Sequence, residues 1–294
     1  MKVAAIQMVS SASLQTNLKA ARALLVEAAG EGAELAVLPE YFCLMGMKDT
    51  DKLAHAERAG AGPIQDFLSH CASELKLWIA GGTLPLQTDS AAATQTHVFN
   101  SSMVYRPDGQ CVARYDKIHL FRFDNGAEYF DEANAIRPGS LPVTFELASI
   151  DGSRYRVGLS ICYDLRFPEL YRALQADLLL VPSAFTHTTG MAHWEILLRA
   201  RAIENLAYVL APAQGGLHEN GRRTWGHSMA IDPWGQILAL REQGAGVLLA
   251  EVEKPQLDTQ RGRLPALEHR AFAAAQAAAA AGGAHAAPVP TPGS

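Results

Sequence analysis

Nowhere does the chain run to roughly 20 consecutive apolar residues of membrane character, so no helical membrane span is expected. Clustered cysteines are lacking too. Cys43, Cys71, Cys111 and Cys162 lie far apart with no Cys-x-x-Cys pair, which argues against a zinc site built on close cysteine pairs. A long, cysteine-poor chain needs no disulfide framework, and a reduced, cytoplasmic setting is the expectation. There is little charge of one sign. The net charge is −5 and no Lys/Arg-rich run occurs, so the footprint of a nucleic-acid or membrane-surface binder is missing. The opening stretch from Met1 to Val9 is short for a signal peptide and is broken by Gln7; it reads as a buried strand.

What is present is a large apolar inventory, 49% of 294 residues, ample for a sizeable core. Strand-like and helix-like segments alternate. Residues 2–9 read as a strand, and 13–29 as a helix with Leu14, Leu18, Ala21, Leu25 and Ala28 at helical spacing before Gly30. A strand at 35–38, a helix at 63–76 from Pro63 and a strand at 78–82 follow. A hairpin spans 97–105 and 111–115 around Pro107-Asp108-Gly109. The second half repeats the theme: strand 156–161, helix 168–175, strand 177–181, helix 191–206, strand 208–211, then strands at 228–232, 236–241 and 246–252. No proline- or serine-rich linker divides the chain, which points to one domain over residues 1–270 and a layered α/β architecture. Residues 271–294 turn Ala-rich, then Gly- and Pro-rich, and are expected to form a disordered tail without chemistry.

Three strand ends carry reactive side chains. Cys162 follows Leu159-Ser160-Ile161 and precedes a turn that opens a helix, where backbone N–H groups can lower a thiol pKa or bind an oxyanion. The plain alternative is a cysteine that fills core space, and Cys43, Cys71 and Cys111 keep that reading. Glu40, after Val37-Leu38-Pro39, is placed to act as a general base, or else as a loop carboxylate facing water. Lys117, in Asp116-Lys117-Ile118-His119-Leu120-Phe121, is either a surface lysine or a cation fixed to stabilise a tetrahedral intermediate. His119, His193 and His227 would be needed by a Cys–His mechanism. All three read instead as hydrogen-bonded structural histidines.

Leu38-Pro39-Glu40, Asp116-Lys117-Ile118-His119-Leu120-Phe121 and Gly158-Leu159-Ser160-Ile161-Cys162-Tyr163-Asp164-Leu165-Arg166 come in that order along the chain. Together they resemble the motifs of the nitrilase superfamily of carbon–nitrogen hydrolases, over residues 2 to about 270. The resemblance implies a four-layer α-β-β-α sandwich. It puts the family's Glu–Lys–Cys triad on Glu40, Lys117 and Cys162. The additional active-site glutamate falls on Glu132, six residues ahead of Pro138-Gly139, with Glu128 as the competing candidate.

Downstream, Phe185 to Glu195, Leu197 to Glu204 and Gly226 to Gly235 resemble the Nit branch of that family. That branch hydrolyses small amides of α-keto acids. The implied substrate is deaminated glutathione, split to 2-oxoglutarate and cysteinylglycine, with 2-oxoglutaramate or 2-oxosuccinamate (the ω-amidase substrates) as the alternative. The segment Ala211-Pro212-Ala213-Gln214-Gly215-Gly216 favours the first, because ω-amidases tend to carry a Ser-Pro step there. A nitrilase proper, a carbamoyl hydrolase and an aliphatic amidase share the same site. A non-catalytic binding module would be expected to have lost a member of the set, and all four are here. The implied chemistry needs no metal or organic cofactor, since the thiol supplies the nucleophile and the backbone N–H of Tyr163 and Lys117 hold the oxyanion. Arg166, Arg199 and the N-terminal end of the 191–206 helix are candidate partners for a substrate carboxylate. The resemblance also implies a homodimer formed through helices 168–175 and 191–206.

Overall fold

The computed structural model describes residues 1–88 and 96–271; of the tail set apart at 271–294, residues 272–294 lie outside the described residues. In chain order the elements are β1 (Lys2–Gln7), α1 (Leu14–Gly30), β2 (Leu35–Val37), α2 (Pro63–Leu75), β3 (Trp78–Ala80), β4 (Leu84–Gln87) and β5 (Val98–Tyr105). Then come β6 (Cys111–Asp116), β7 (Arg122–Asp124), β8 (Tyr129–Asp131), β9 (Val143–Ala148), β10 (Arg154–Leu159), α3 (Pro168–Leu174) and β11 (Leu178–Leu180). The last are α4 (His187–Asn205), β12 (Tyr208–Ala211), β13 (Ser228–Ile231), β14 (Ile237–Arg241), β15 (Gly246–Glu251) and α5 (Lys254–Arg263). Among the described residues no helix is long and apolar enough to cross a membrane.

Two sheets dominate. One has the order β15-β1-β2-β3-β5-β4, with β6 on the free edge of β5; the other runs β14-β13-β12-β11-β10-β9. Each holds three parallel strands, β1-β2-β3 and β10-β11-β12, joined through helices, and each is extended by antiparallel strands. Parallel strands need crossovers, and the helices supply them while covering the outer faces.

The alternation of side chains along each short strand builds the layers. Val3, Ala5, Leu35, Val37, Trp78 and Ala80 join the central core together with Val157 and Leu159 of the other sheet. Their neighbours Ala4, Ile6, Ala36 and Ile79 turn the other way and pack against Ala21, Leu25 and Ala28 of α1 and Ile64 and Leu68 of α2. On the far side, Tyr171 and Leu174 of α3 and Trp194, Leu198 and Ala202 of α4 close the second sheet. Each fully buried large aliphatic side chain contributes about 1.5–3 kcal/mol. The result is the α-β-β-α sandwich.

Most element boundaries agree with the sequence reading within two or three residues. The largest departure is α4, which starts at His187 rather than at 191. Thr186 caps it, its Oγ1 accepting from the N–H of Thr189 at 3.4 Å. Gly190 falls inside this first turn because the side chain of Trp225 occupies the space beside it: an added Cβ would lie 2.3 Å from Trp225 Cβ. Strands β4 and β9, the β7–β8 hairpin and helix α5 are further elements of the fold.

Candidate active site

The sheet topology brings the strand ends together. β6 runs antiparallel to β5, and β5 antiparallel to β3, so β6 points the same way as β2. The segments after β2 and β6 therefore emerge at one end of the sheet, carrying Glu40 and Lys117. Cys162 follows β10 in the facing sheet. Ligands in such sheets gather beyond the carboxyl ends of parallel strands, and these residues sit there.

Lys117 is the hub. Fully buried, its Nζ donates to Glu40 Oε1 at 2.8 Å and to Glu132 at 2.9 Å (Oε1) and 2.8 Å (Oε2). Glu40 Oε1 also accepts from Asn100 Nδ2 at 2.9 Å, and Oε2 from the Ala184 N–H at 3.0 Å. Glu132 Oε2 accepts from the Phe121 N–H at 2.7 Å, and Oε1 from the Tyr41 hydroxyl at 2.8 Å. Charges this far from water persist only when paired and hydrogen-bonded. The Pro138-Gly139 step that singled out Glu132 backs this hub. The Gly139 N–H donates to the Lys117 carbonyl at 2.8 Å, and a Cβ on Gly139 would lie 2.2 Å from the carbonyl oxygen of Asp116.

Cys162 begins a short 3-10 turn, Cys162–Arg166, with φ +50°. A left-handed non-glycine residue costs about 1–3 kcal/mol and persists where its surroundings over-determine it. Here the Cys162 N–H donates to the Pro182 carbonyl at 3.0 Å. Buried Asp164 ties the turn to the Lys117 segment. Its Oδ2 accepts from the Ile161 N–H (2.9 Å) and the Tyr115 hydroxyl (2.7 Å), and its Oδ1 from the His119 N–H (3.0 Å) and His119 Nδ1 (2.7 Å). The backbone N–H of Tyr163, at the start of the turn, makes no hydrogen bond within the described residues.

The electrostatics are those of a cluster with one cation between two carboxylates. Burial pushes the Cys162 thiol well above the usual cysteine range, and the Glu40 charge pushes it further; Lys117 only partly offsets this. Burial would lower the Lys117 pKa, but the charges of Glu132 and Glu40 win and raise it. Burial likewise works against ionised Glu132, yet Lys117 holds its pKa below the ordinary carboxylate range. The balance therefore favours the protonated thiol at Cys162 and the charged ammonium at Lys117.

Glu40, Lys117, Glu132 and Cys162 thus meet in one place, with Glu40, Glu132, Cys162 and Tyr163 lining the same chamber as Phe185, Thr186 and Arg222. Glu128 stands apart and accepts from the Thr188 hydroxyl at 2.8 Å. The three histidines have other partners: His119 stacks on Phe167 at 3.6 Å, His193 meets Arg166 at 3.4 Å, and His227 stacks on Trp225 at 4.0 Å. Arg199 does not line this chamber; its guanidinium bonds the Gly235 carbonyl and Glu195. Asn100, Tyr41 and Arg222 were missed. Asn100, Ser101 and Ser102 form a polar run inside β5, the one readable signal among them.

The site gathers a cysteine, a lysine and two glutamates between the two sheets of an α-β-β-α sandwich. The chain belongs to the carbon-nitrogen hydrolase family, whose family model matches residues 2–261, and within it to the Nit branch of the nitrilase superfamily. It is similar to deaminated glutathione amidase of Synechocystis, with 42% identity over 274 residues, covering 92% of this chain and 97% of that one. It superposes on the crystal structure of the Caenorhabditis elegans NitFhit protein with a TM-score of 0.80 and 34% identity, covering 92% of this chain and 65% of that longer one. Saccharomyces cerevisiae Nit3, described as a member of branch 10 of the nitrilase superfamily, gives a TM-score of 0.78 at 28% identity, covering 90% of this chain and 94% of that one.

Proposed function

We propose that this chain is a cysteine-dependent amidase that hydrolyses a small α-keto acid amide, namely deaminated glutathione, to 2-oxoglutarate and cysteinylglycine. The observation that carries the amidase reading is the buried Glu40–Lys117–Glu132 cluster beside a protonated Cys162 thiol. A thiol held neutral needs a base at the moment of attack, and Glu40 is the carboxylate whose charge it feels most. Glu40 takes the thiol proton as the Cys162 sulfur bonds to the amide carbon. Lys117 and the Tyr163 N–H stabilise the oxyanion, a single such donor contributing about 3 kcal/mol. The C–N bond breaks as Glu40 passes the proton to the leaving nitrogen, and a thioester remains. Water, deprotonated by Glu40, attacks that thioester; the C–S bond breaks and the proton returns to sulfur. Glu132 keeps Lys117 charged and in place.

The substrate choice is supported by the name of the Synechocystis relative and by the loop singled out in the sequence. Gln214 in that loop donates to the Glu40 carbonyl at 3.1 Å and to Ser10 at 2.8 Å, so the loop buttresses the base. The acyl carboxylate is assigned to the chamber side. There Thr186 and Thr189 bring the first turn of α4, whose positive end favours an anion, and Arg166 lies against Tyr163 and Phe185. We also propose self-association through the exposed apolar side of α4, where Met191 and Ile196 lie 65% and 70% open.

The test compares deaminated glutathione, 2-oxoglutaramate, a nitrile and an N-carbamoyl amine by kcat/KM. Deaminated glutathione is expected to lead; a nitrile or carbamoyl compound turned over far better would refute the substrate. Cys162→Ala should abolish turnover with the fold intact, and mass spectrometry should find the acyl adduct on the Cys162 peptide. An adduct on Cys43, Cys71 or Cys111 would reassign the nucleophile.

A further inference from the structure

Arg222 stands where two spaces meet. It lines the chamber at Cys162, and it lines a larger groove outside. The chamber leaves about 10 Å³, room for about one water molecule. The groove offers about 410 Å³. Its walls carry the cations Lys48, Lys52, Arg222 and Arg223 against the carboxylates Asp49 and Glu128.

None of the four cations forms an ion pair among the described residues, and two of them, Arg222 and Lys52, are half-buried. Arg222 donates to the Ala184 carbonyl at 2.9 Å and lies over the Phe130 ring at 5.1 Å, while its buried Nε donates to nothing. Lys52 sits over the Tyr41 ring at 4.9 Å. Burial holds the Lys52 ammonium below the usual lysine range, and the charges of Glu132 and Asp49 only partly offset this. A half-buried cation with no paired carboxylate is costly, and an incoming carboxylate would remove that cost. The groove is also wired to the chemistry. The Tyr41 ring lies under Lys52, and its hydroxyl donates to Glu132, which pairs with Lys117.

We propose that this groove is the leaving-amine subsite, and that it takes an amine bearing a free carboxylate several bonds from the scissile nitrogen, held by Lys52 and Arg222. The inference rests on the amidase reading above and deepens it. A dipeptide leaving group ends in such a carboxylate, whereas the ammonia released from 2-oxoglutaramate does not. The chamber has room for about one water molecule and cannot take a dipeptide, which leaves the larger basic groove to the departing amine.

Deaminated glutathione and its C-terminal glycinamide differ only in that charge. The wild-type protein should prefer the acid by about 10-fold or more in kcat/KM, the scale of a charge-assisted hydrogen bond. Lys52→Met and Arg222→Met should bring the ratio close to one, with the loss carried by KM, and Arg222→Lys should restore part of it. A ratio unchanged in both Met variants overturns the subsite, including the case in which both substrates slow alike. A second readout uses cysteinylglycine and its amide as inhibitors of 2-oxoglutaramate hydrolysis. Stronger inhibition by the acid, lost in the Met variants, supports the subsite; equal inhibition by the two overturns it. If the wild-type protein turns over 2-oxoglutaramate but not deaminated glutathione, the substrate reading fails by itself, and the inhibition experiment still decides the groove.

Discussion

Removing the Lys117 ammonium should cost both stability and turnover, and the stability loss should depend on pH in a definite direction. Lys117→Met keeps the length of the side chain but leaves Glu40 and Glu132 buried without their shared cation, their side chains 1% and 13% exposed. Breaking a buried pair by deleting one partner costs about 3–5 kcal/mol, against about 0–1 kcal/mol for an exposed lysine. For a chain of this size that corresponds to a fall in Tm of roughly 5–15 °C. In the wild-type protein the folded pKa of Glu132 is depressed. Its contribution to stability is therefore present above the unfolded carboxylate pKa and is lost as pH falls through the lower folded value. In the variant, without the cation, burial and mutual repulsion raise the folded carboxylate pKa, so destabilisation grows as pH rises. The gap between the two proteins should be wide near about pH 8 and narrow near about pH 5. Thermal unfolding at both pH values measures it, and Lys117→Met/Glu132→Gln should recover part of the loss. Turnover should fall by about 100-fold or more from the missing oxyanion partner. A variant equally destabilised at both pH values, or one as stable as wild type, would refute the buried-hub argument.

Peptide-resolved alkylation should follow Cys162 directly: with the thiol pKa raised well above 9.0 by burial, its reaction should still be accelerating above that pH. A plateau below it would mean a stabilised thiolate. Asp164→Asn replaces an acceptor of four hydrogen bonds with a group that must present N–H to two of the donors, and it should destabilise by about 2–4 kcal/mol while lowering kcat more than it raises KM. Light scattering on Ile196→Asp should show a shift toward monomer without loss of the fold; an unchanged oligomer would move the interface elsewhere.

The parts of the site legible in the sequence are those that end strands. Glu40 and Cys162 each close an apolar run whose period and length already say buried strand, and Lys117 closes a hairpin arm. What joins them was not legible from period. Their meeting depends on β6 being carried round beside β5 and on two sheets facing each other, which are long-range facts. The chain's own motifs supplied that information only through resemblance. The start of α4 was misplaced because His187-Thr188-Thr189-Gly190 has poor helix propensity, and tertiary packing of Gly190 against Trp225 overrides it. Arg222 was invisible for a different reason. It sits in a loop between β12 and β13 with no periodicity, and its significance lies in an acceptor it lacks.

The pairing of β1 with β15 has a consequence for how the molecule is made. Lys2 lies opposite Glu251, and Gln7 opposite Gly246. During synthesis β1 leaves the ribosome long before β15, and its outer edge stays bare until the chain has grown past residue 251. Until then a strand of Val3, Ala4, Ala5 and Ile6 offers free N–H and C=O groups to any neighbouring nascent chain, which is the setting for edge-to-edge aggregation. Chaperone dependence and yield should accordingly track the last strand rather than the active site, and a chain shortened before Gly246 should be lost to inclusion bodies even though Glu40, Lys117, Glu132 and Cys162 are all still encoded.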